Sequence, residues 1–305
     1  MKIAIVNQYR DFKRTVLYQL ILQESKTSLQ EVPPKKADLI IYGPFGRFPK
    51  IVGRFVKRKA FDGPMVFKNR SVQPINLFHT IENVRHENKY DFSIGYDFPT
   101  RECDYRFPYW MESLDWTHEG VSRLPPLRVS RYFSIPELQK PLGRFLEGRN
   151  GKCAAFFGQL REPRGTLMTT VSNNLELDTF GPAFDAKVKN SQKSGVFKDH
   201  ILENYSYNLC PENGLFPGYY TEKILESFAS GCLPISWAEK NINHDFNSDA
   251  FINLLDYSTS GYREWEQQLK CSSSLEKFET ACLLKKTPSI EPMRDFVRKV
   301  VQAAA

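Results

Sequence analysis

Apolar positions in the first hundred residues occur in short continuous runs separated by longer polar stretches. These runs are rich in Ile, Val, Phe and Tyr and comprise "KIAIV" (2–6), "DLIIYGPF" (38–45), "PMVFK" (64–68) and "DFSIGYDF" (91–98). Short apolar runs without strict alternation are typical of parallel strands that are buried on both faces. Because residues 12–25 between the first two runs have a helical pattern, the N-terminal half predicts alternating strands and helices.

The same pattern restarts in the second half of the chain. Residues 125–151 are rich in Pro, with Gly toward the end of the segment, and predict a connection between domains. A new strand (152–158), a helical "RGTLMTTVSNN" and strands at 206–210 and 233–237 follow. We therefore predict an α/β fold with two Rossmann-like domains. The predicted ranges are an N-terminal domain (1–145), a C-terminal domain (146–285) and a terminal helix in 286–305 that can pack back on the N-terminal domain.

The charge balance restricts the classes of partner. The 305 residues carry a formal net charge of +7, which suits nucleic acid, an anionic membrane surface or a phosphorylated ligand. The densest basic run lies at 50–59 and is either a solvated helix face or a surface for an acidic partner. Aromatic residues near it are limited to Phe55 and Phe61, whereas single-stranded nucleic-acid sites interleave basic and aromatic residues. We predict no nucleic-acid partner.

The chain shows no sign of export. It opens on the strand-like "MKIAIV" without a signal-peptide pattern, and no apolar run approaches the ~20 residues that span a bilayer. The six cysteines form no C-x-x-C pair and have no His at metal-ligand spacing. These features predict a cytoplasmic protein, including peripheral association with the inner face of a membrane, and leave the oligomeric state open.

The richest cluster of functional groups lies in "LCPENGLFPGYYTEKILESFASGCLPISW" (209–237). This stretch predicts a strand, a polar loop, a helix and a second strand, and open parallel sheets bind ligands at such loops. Lys223 falls in the first turn of the helix, where the dipole disfavours a cation. A bound phosphate would explain that lysine. The neighbouring Glu222 is either a charge that complements the dipole or a ligand-binding group.

The string "PENG…GYYTEK" resembles the signature of glycosyltransferase family 10, the α-1,3/4-fucosyltransferases, in its soluble bacterial form. The resemblance covers residues 64–257 and includes "FHTIENVRHENKYDFSIGYDF" (78–98), "YRFPYWM" (105–111), 152–173 and "DFNSDAFINLLDY" (245–257). Two residues depart from the family pattern. Pro211 stands where the family has a bulky residue, and Ile81 replaces a small Gly.

The resemblance implies a GT-B architecture, in which two Rossmann-like domains face a cleft. It also implies GDP-fucose as donor and a single displacement that inverts the anomeric carbon. Such a displacement needs a base for the proton of the acceptor hydroxyl. Glu82 matches the proposed base of the family, and Glu87 is the alternative.

The donor-binding residues follow from the same resemblance. Arg164, with Arg161 as the alternative, and Lys223 match groups that stabilise the leaving diphosphate. Glu222 is assigned as the catalytic carboxylate near the fucose. The remaining donor contacts are assigned to Glu212, Asn213 and Tyr219.

Two cations on the diphosphate remove the need for a metal, and the chain contains no Asp-x-Asp motif. We therefore expect no required cofactor, although Mn²⁺ or Mg²⁺ can stimulate the reaction. The expected acceptor is a glycan, either N-acetyllactosamine-like or a polysaccharide such as lipopolysaccharide, bound by loops such as 43–60 and 99–125. Two other classes stay open: a GT-B enzyme with another nucleotide sugar, and a non-enzymatic polyanion binder. A dinucleotide oxidoreductase is disfavoured because no strand is followed by G-x-G-x-x-G.

Overall fold

The computed structural model describes most of the chain as two compact units. The described residues are 1–45, 64–68, 70–85, 89–122, 124–126, 129, 131–184 and 196–305. The first unit comprises Met1–Glu112, Trp116–Leu127 and Ser289–Ala305. The second comprises Ser113–Asp115 and Arg128–Pro288.

The first unit is built on a parallel sheet. Its strands are β1 (Lys2–Val6), β2 (Gln30–Glu31), β3 (Leu39–Tyr42), β4 (Ile75–His79), β5 (Phe92–Gly95) and β6 (Asp104–Arg106). They are arranged in the order β2-β1-β3-β4-β5-β6, and each recorded pair is parallel. Every residue of β3 is buried, as expected for a continuous apolar run in a sheet that is covered on both faces.

One predicted strand of this unit is wrong. Residues 64–68 form no strand, and the strand after β3 is instead β4, in "PINLFH". The N–H groups of Met65 and Phe67 donate to the side chains of Tyr42 and Gln73 and therefore take no part in a strand ladder. The carbonyl and N–H groups of β4, by contrast, pair with strands on both sides.

Helices of the first unit come from both ends of the chain. They are α1 (Val16–Glu24), α2 (Tyr109–Glu112) and α9 (Glu291–Ala304). Thr15 caps α1 by accepting the N–H of Tyr18 at 3.2 Å. Helix α9 packs on α1 through its buried apolar face, and Arg298 binds Glu24 at 2.8 Å.

The second unit repeats the architecture. Its strands are β7 (Cys153–Phe156), β8 (Leu177–Phe180), β9 (Tyr207–Leu209), β10 (Leu233–Ser236) and β11 (Ile252–Asn253), in the order β11-β10-β9-β7-β8 with parallel pairs. Its helices are α3 (Ile135–Leu138), α4 (Arg164–Ser172), α5 (Val196–Leu202), α6 (Lys223–Ala229), α7 (Arg263–Lys270) and α8 (Ser272–Thr280). These two parallel sheets confirm the predicted α/β class.

The segment that the sequence assigned to a connection packs within the second unit. The backbone N–H of Asp115 donates to the carbonyl of Phe133 at 2.9 Å. Phe145 lies in the core of the unit, with its ring centroid 5.5 Å from that of Tyr207. Residues 131–145 therefore contribute to this unit, because Phe145 is part of its core and Leu142 packs against that core.

Two properties of the described residues bear on the predicted environment. None of the described helices has both the length and the apolar character that a bilayer crossing requires. All six cysteines are free thiols, and of these Cys271 is exposed.

Candidate active site

The loop between β9 and α6 lies at the carboxyl end of the second sheet. Cys210 and Glu212 continue the ladder by donating their N–H groups to Ile235 and Trp237 of the neighbouring strand, at 2.8 and 3.1 Å. Since alternate residues supply these bonds, Pro211 removes no donor from this ladder. The departure from the family pattern at Pro211 is therefore compatible with the sheet.

Glu212 is the centre of this loop. It is 4% exposed, and its carboxylate accepts the N–H of Thr221 at 2.7 Å and the hydroxyl of Thr221 at 2.9 Å. The same carboxylate accepts the ammonium of Lys223 at 2.9 Å. Groups of the protein itself occupy these acceptor positions of Glu212. The geometry therefore favours a role for Glu212 in positioning Lys223 rather than the predicted contact with the donor. The hydroxyl of Thr221 donates to Glu212, and the N-cap residue of α6, Glu222, makes no side-chain capping bond.

Lys223 is a fixed cation at the start of α6. Its Nζ also donates to the Thr221 hydroxyl at 2.6 Å. Burial alone would lower the pKa of Lys223, but the charges of Glu212 and Glu222 raise it above its ordinary value. The lysine is therefore protonated at neutral pH. Helix α6 has only seven residues. The positive charge at its start therefore resides mainly on the side chain of Lys223 rather than on the helix N-terminus.

Arg164 supplies a second cation from the first residue of α4. Its guanidinium donates to the backbone oxygen of Gln159 at 2.7 Å and to Asn213 Oδ1 at 2.6 Å, and lies 5.3 Å from the Phe157 ring centroid. Burial lowers the pKa of Arg164, although an arginine stays charged at neutral pH. Asn213 in turn donates to the Tyr219 hydroxyl at 3.4 Å. The structure thus brings three of the predicted donor-binding residues together.

A cavity of about 130 Å³ lies between the ends of β7 and β9. Its described lining includes Arg164, Lys198, Lys223, Glu222 and Pro211. Arg161, the alternative to Arg164, is exposed and is not among these lining residues. Among these described lining residues, three cations beside one carboxylate suit an anionic group such as a diphosphate.

Lys198 is a lining residue that the sequence analysis missed. It lies on α5, forms an ion pair with Glu226 and has its Nζ 5.6 Å from the Phe156 ring centroid. Burial would lower the pKa of Lys198, but Glu226 raises it, while burial raises the pKa of Glu226 above its ordinary value. Glu226 is 3% exposed on the inner face of α6. The available sequence signal was a carboxylate among the apolar residues of that helix, because a buried charge requires a partner.

Glu82 lies in the first unit, in the loop that follows β4. This loop is held by Thr80, whose hydroxyl accepts the N–H of Glu82 and donates to its carbonyl, both at 3.1 Å. Tyr9 adds a longer-range contact, since its hydroxyl accepts the N–H of Ile81 at 2.7 Å. The structure thus gives Glu82 a backbone fixed by two neighbouring side chains. Glu87, the alternative base, lies outside the described residues.

No cluster of three or more His, Cys, Asp or Glu side chains in the described part of the chain has an arrangement suited to a metal ion. The basic run at 50–59 falls outside the described residues, so its predicted roles stay predictions.

Comparison with known proteins connects this geometry to a family. Residues 152–278 match the family model described as glycosyltransferase family 10 (fucosyltransferase), C-terminal region. This range contains the cationic cavity and its lining residues. The chain is also 26% identical over 280 residues to the α-(1,3)-fucosyltransferase FucT of Helicobacter pylori. That alignment covers 84% of this chain and 54% of the relative, so the chain spans about half the length of that curated protein.

Solved structures show the same fold. A crystal structure of an α1,3-fucosyltransferase matches with a TM-score of 0.67 and 19% identity, covering 99% of this chain and 90% of the other. A second crystal structure, of an α1,3-fucosyltransferase with GDP-fucose, matches with a TM-score of 0.63 and 20% identity over the same shares. These matches confirm the predicted GT-B fold class.

Proposed function

We propose, on the premise that residues 152–278 form a glycosyltransferase family 10 domain, that the protein is an inverting fucosyltransferase. It transfers L-fucose from GDP-fucose to a hydroxyl of a glycan acceptor, forming an α-1,3 or α-1,4 linkage. The observation that carries this proposal is the cavity within that domain, where Arg164, Lys198 and Lys223 converge. A relative crystallised with GDP-fucose supports the choice of donor.

The proposed reaction is a single displacement. Glu82 accepts the proton of the acceptor hydroxyl while its oxygen forms a bond to the anomeric carbon of fucose. The bond between that carbon and the β-phosphate oxygen breaks, and its electron pair leaves with GDP. Arg164 and Lys223 stabilise the negative charge that develops on the diphosphate. Glu222 is proposed to contact the fucose as its ring acquires positive charge.

Positioning is the second contribution of the domain. Glu212 holds Lys223, and Asn213 holds Arg164, before the donor arrives. Donors and charges that are already in place need little reorganisation when the transition state forms. We propose that this arrangement makes a metal ion dispensable. Activity should therefore persist in EDTA, and added Mn²⁺ or Mg²⁺ should raise it only modestly.

The first test measures nucleotide release from GDP-fucose, GDP-mannose and UDP-galactose, with and without an N-acetyllactosamine acceptor. We expect release from GDP-fucose that increases with acceptor. Turnover with UDP-galactose alone would indicate a different GT-B transferase, and the absence of binding or turnover with every GDP-sugar would refute the proposal.

Two variants separate the predicted roles. Lys223→Ala should weaken GDP-fucose binding and lower the rate by about 10²–10³, the usual cost of one stabilising donor. Glu82→Gln should retain GDP-fucose affinity but lose transfer, because the amide cannot accept the proton. Arg161→Ala, which changes an exposed neighbour of the cavity, is the matched control. Near-normal transfer by Glu82→Gln would exclude Glu82 as the base.

A further inference from the structure

We propose that Asn208 is a donor-binding residue, and that its side-chain amide pairs with two neighbouring hydroxyls of the nucleotide sugar. Asn208 is the middle residue of β9 and lines the cavity of the second unit. It is 1% exposed, and neither Nδ2 nor Oδ1 has a hydrogen-bond partner among the described residues. This inference rests on the proposed function, because it takes that cavity as part of the donor site.

The strand determines where this amide points. Tyr207 and Leu209, on either side of Asn208, belong to the same core cluster of the second unit. Because successive side chains of a strand point to opposite faces of the sheet, Asn208 projects from the face away from that cluster. Its partners in the neighbouring strands are Ala154 and Pro234, and neither has a polar side chain. The adjacent strands therefore offer the amide no side-chain partner.

A buried amide without partners is costly, because folding removes it from water and no protein group replaces the lost hydrogen bonds. Asn253, on β11 of the same sheet, shows how such a cost is avoided. It is 4% exposed, its Oδ1 accepts the N–H of Ala238 at 3.1 Å, and its Nδ2 donates to the carbonyl of Ala238 at 3.0 Å. Asn208 differs in lining a cavity. Its partner therefore belongs to the ligand of that cavity.

The amide also indicates the chemistry of this ligand. Nδ2 donates and Oδ1 accepts hydrogen bonds, and the two atoms stand side by side. A phosphate oxygen only accepts, so it would leave Oδ1 unpaired beside a negative charge. A hydroxyl both donates and accepts. Two neighbouring hydroxyls of a sugar ring therefore satisfy both atoms of Asn208.

A nucleotide sugar carries such hydroxyl pairs on two of its rings, the ribose and the fucose. The cavity has a volume of about 130 Å³, whereas sites that enclose a drug-sized ligand have roughly 300–1,000 Å³. It therefore encloses only part of the donor. The chemistry at Asn208 is the same for both rings, and the binding test below separates them.

The test measures Kd values of the full chain for GDP-fucose, GDP and 2′,3′-dideoxy-GDP by calorimetric titration. Asn208→Leu keeps a similar side-chain volume but removes both polar atoms. Its Kd for GDP-fucose should rise about tenfold or more, because two hydrogen bonds to the ligand are lost. An equal rise for GDP assigns the hydroxyls to the ribose, and unchanged GDP binding assigns them to the fucose. An equal rise for 2′,3′-dideoxy-GDP, which keeps the diphosphate but lacks the ribose hydroxyls, would overturn the assignment to hydroxyls.

Urea unfolding gives a readout that a structural role would move in the opposite direction. Because Asn208→Leu removes an unpaired amide from the interior, its urea midpoint should equal or exceed that of wild type. Asn253→Leu is the matched control, because the amide it removes has partners at both atoms. Its midpoint should fall, while its Kd for GDP-fucose stays unchanged below the transition. A midpoint of Asn208→Leu as low as that of Asn253→Leu would overturn the proposal.

A second variant keeps the binding test independent of the leucine side chain. Asn208→Ala removes the amide without adding apolar volume and should lose the same affinity for GDP-fucose. Unchanged affinities in both Asn208 variants would overturn the role of Asn208 alone, since the wild type would still transfer fucose. Wild type that binds GDP-fucose without transferring it would count against the proposed function, and the comparison of Kd values would still decide the role of Asn208. Failure of the wild type to bind GDP-fucose would overturn both.

Discussion

Buried carboxylates determine where the cations of the cavity in the second unit lie. Glu212 binds Lys223, and Glu226 binds Lys198, so that each lysine is held by a partner that is at most 4% exposed. Removing one member of such a pair leaves an uncompensated charge in a poorly solvated place. A single substitution therefore affects both the fold and the site, and the two effects must be measured apart.

The pair formed by Lys198 and Glu226 offers this separation. Lys198→Met should lower the free energy of unfolding by about 3 kcal/mol, because Glu226 loses its counter-charge, and should weaken GDP-fucose binding about tenfold. The double variant Lys198→Met/Glu226→Gln should regain most of the stability but not the affinity. Urea unfolding and calorimetric titration with GDP-fucose measure the two quantities. Recovery of affinity together with stability would show that Lys198 has a structural role only.

At the scale of elements, α1 is fixed at its N-terminus by a residue far away in the chain. Its first N–H, that of Val16, donates to the Glu112 carboxylate at 3.0 Å. Glu112 is 5% exposed, and burial raises its pKa to about 7. The first turn of a helix has N–H groups without intrahelical partners, so this contact satisfies one of them and also joins α1 to α2.

The raised pKa of Glu112 predicts a pH-dependent stability. Its protonated form is favoured in the folded state, so its contribution is complete below the ordinary carboxyl pKa and is lost as pH rises toward 7. Glu112→Gln should remove this dependence, since the neutral amide still accepts the Val16 N–H. Relative to wild type, the variant should gain up to about 3 kcal/mol between pH 5 and pH 8, measured by urea unfolding. The exposed Glu102→Gln is the control, and parallel pH profiles of wild type and Glu112→Gln would contradict the prediction.

At the scale of the whole molecule, the first unit is assembled from distant parts of the chain. Residues 289–305 belong with residues 1–112 and 116–127. Arg294 donates to the carbonyl of Glu119 at 2.7 Å and to Gln23 at 2.8 Å, while Met293, Val297 and Val300 are buried. The terminal helix is therefore part of the core of this unit.

Truncating that core should destabilise the first unit without altering the cavity of the second unit. Met293→Ala removes a side chain that is fully buried and should cost about 2–5 kcal/mol in the free energy of unfolding. Lys299→Ala, on the exposed side of the same helix, should cost less than about 0.5 kcal/mol. Below the unfolding transition, both variants should bind GDP-fucose as wild type does, because the cavity residues lie in the second unit. Equal stability of the two variants would refute the structural role of α9.

The sequence by itself determined most of the elements and gave the hypothesis of a donor-binding loop before α6, because both depend on neighbouring residues. Continuous apolar runs marked β1, β3 and β5, and the order Glu-Lys at a helix start marked residues 222–223. The prediction of a strand at 64–68 was wrong because apolar character alone does not supply hydrogen-bond partners in a sheet. The strand that makes those hydrogen bonds is β4. Tertiary structure alone decided that Glu226 pairs with Lys198 and that Glu212 holds Lys223. It also placed Phe145, from the predicted connection, in the core of the second unit. Such pairings join side chains that are far apart in the chain, and only the packing of strands and helices fixes which buried charge meets which partner.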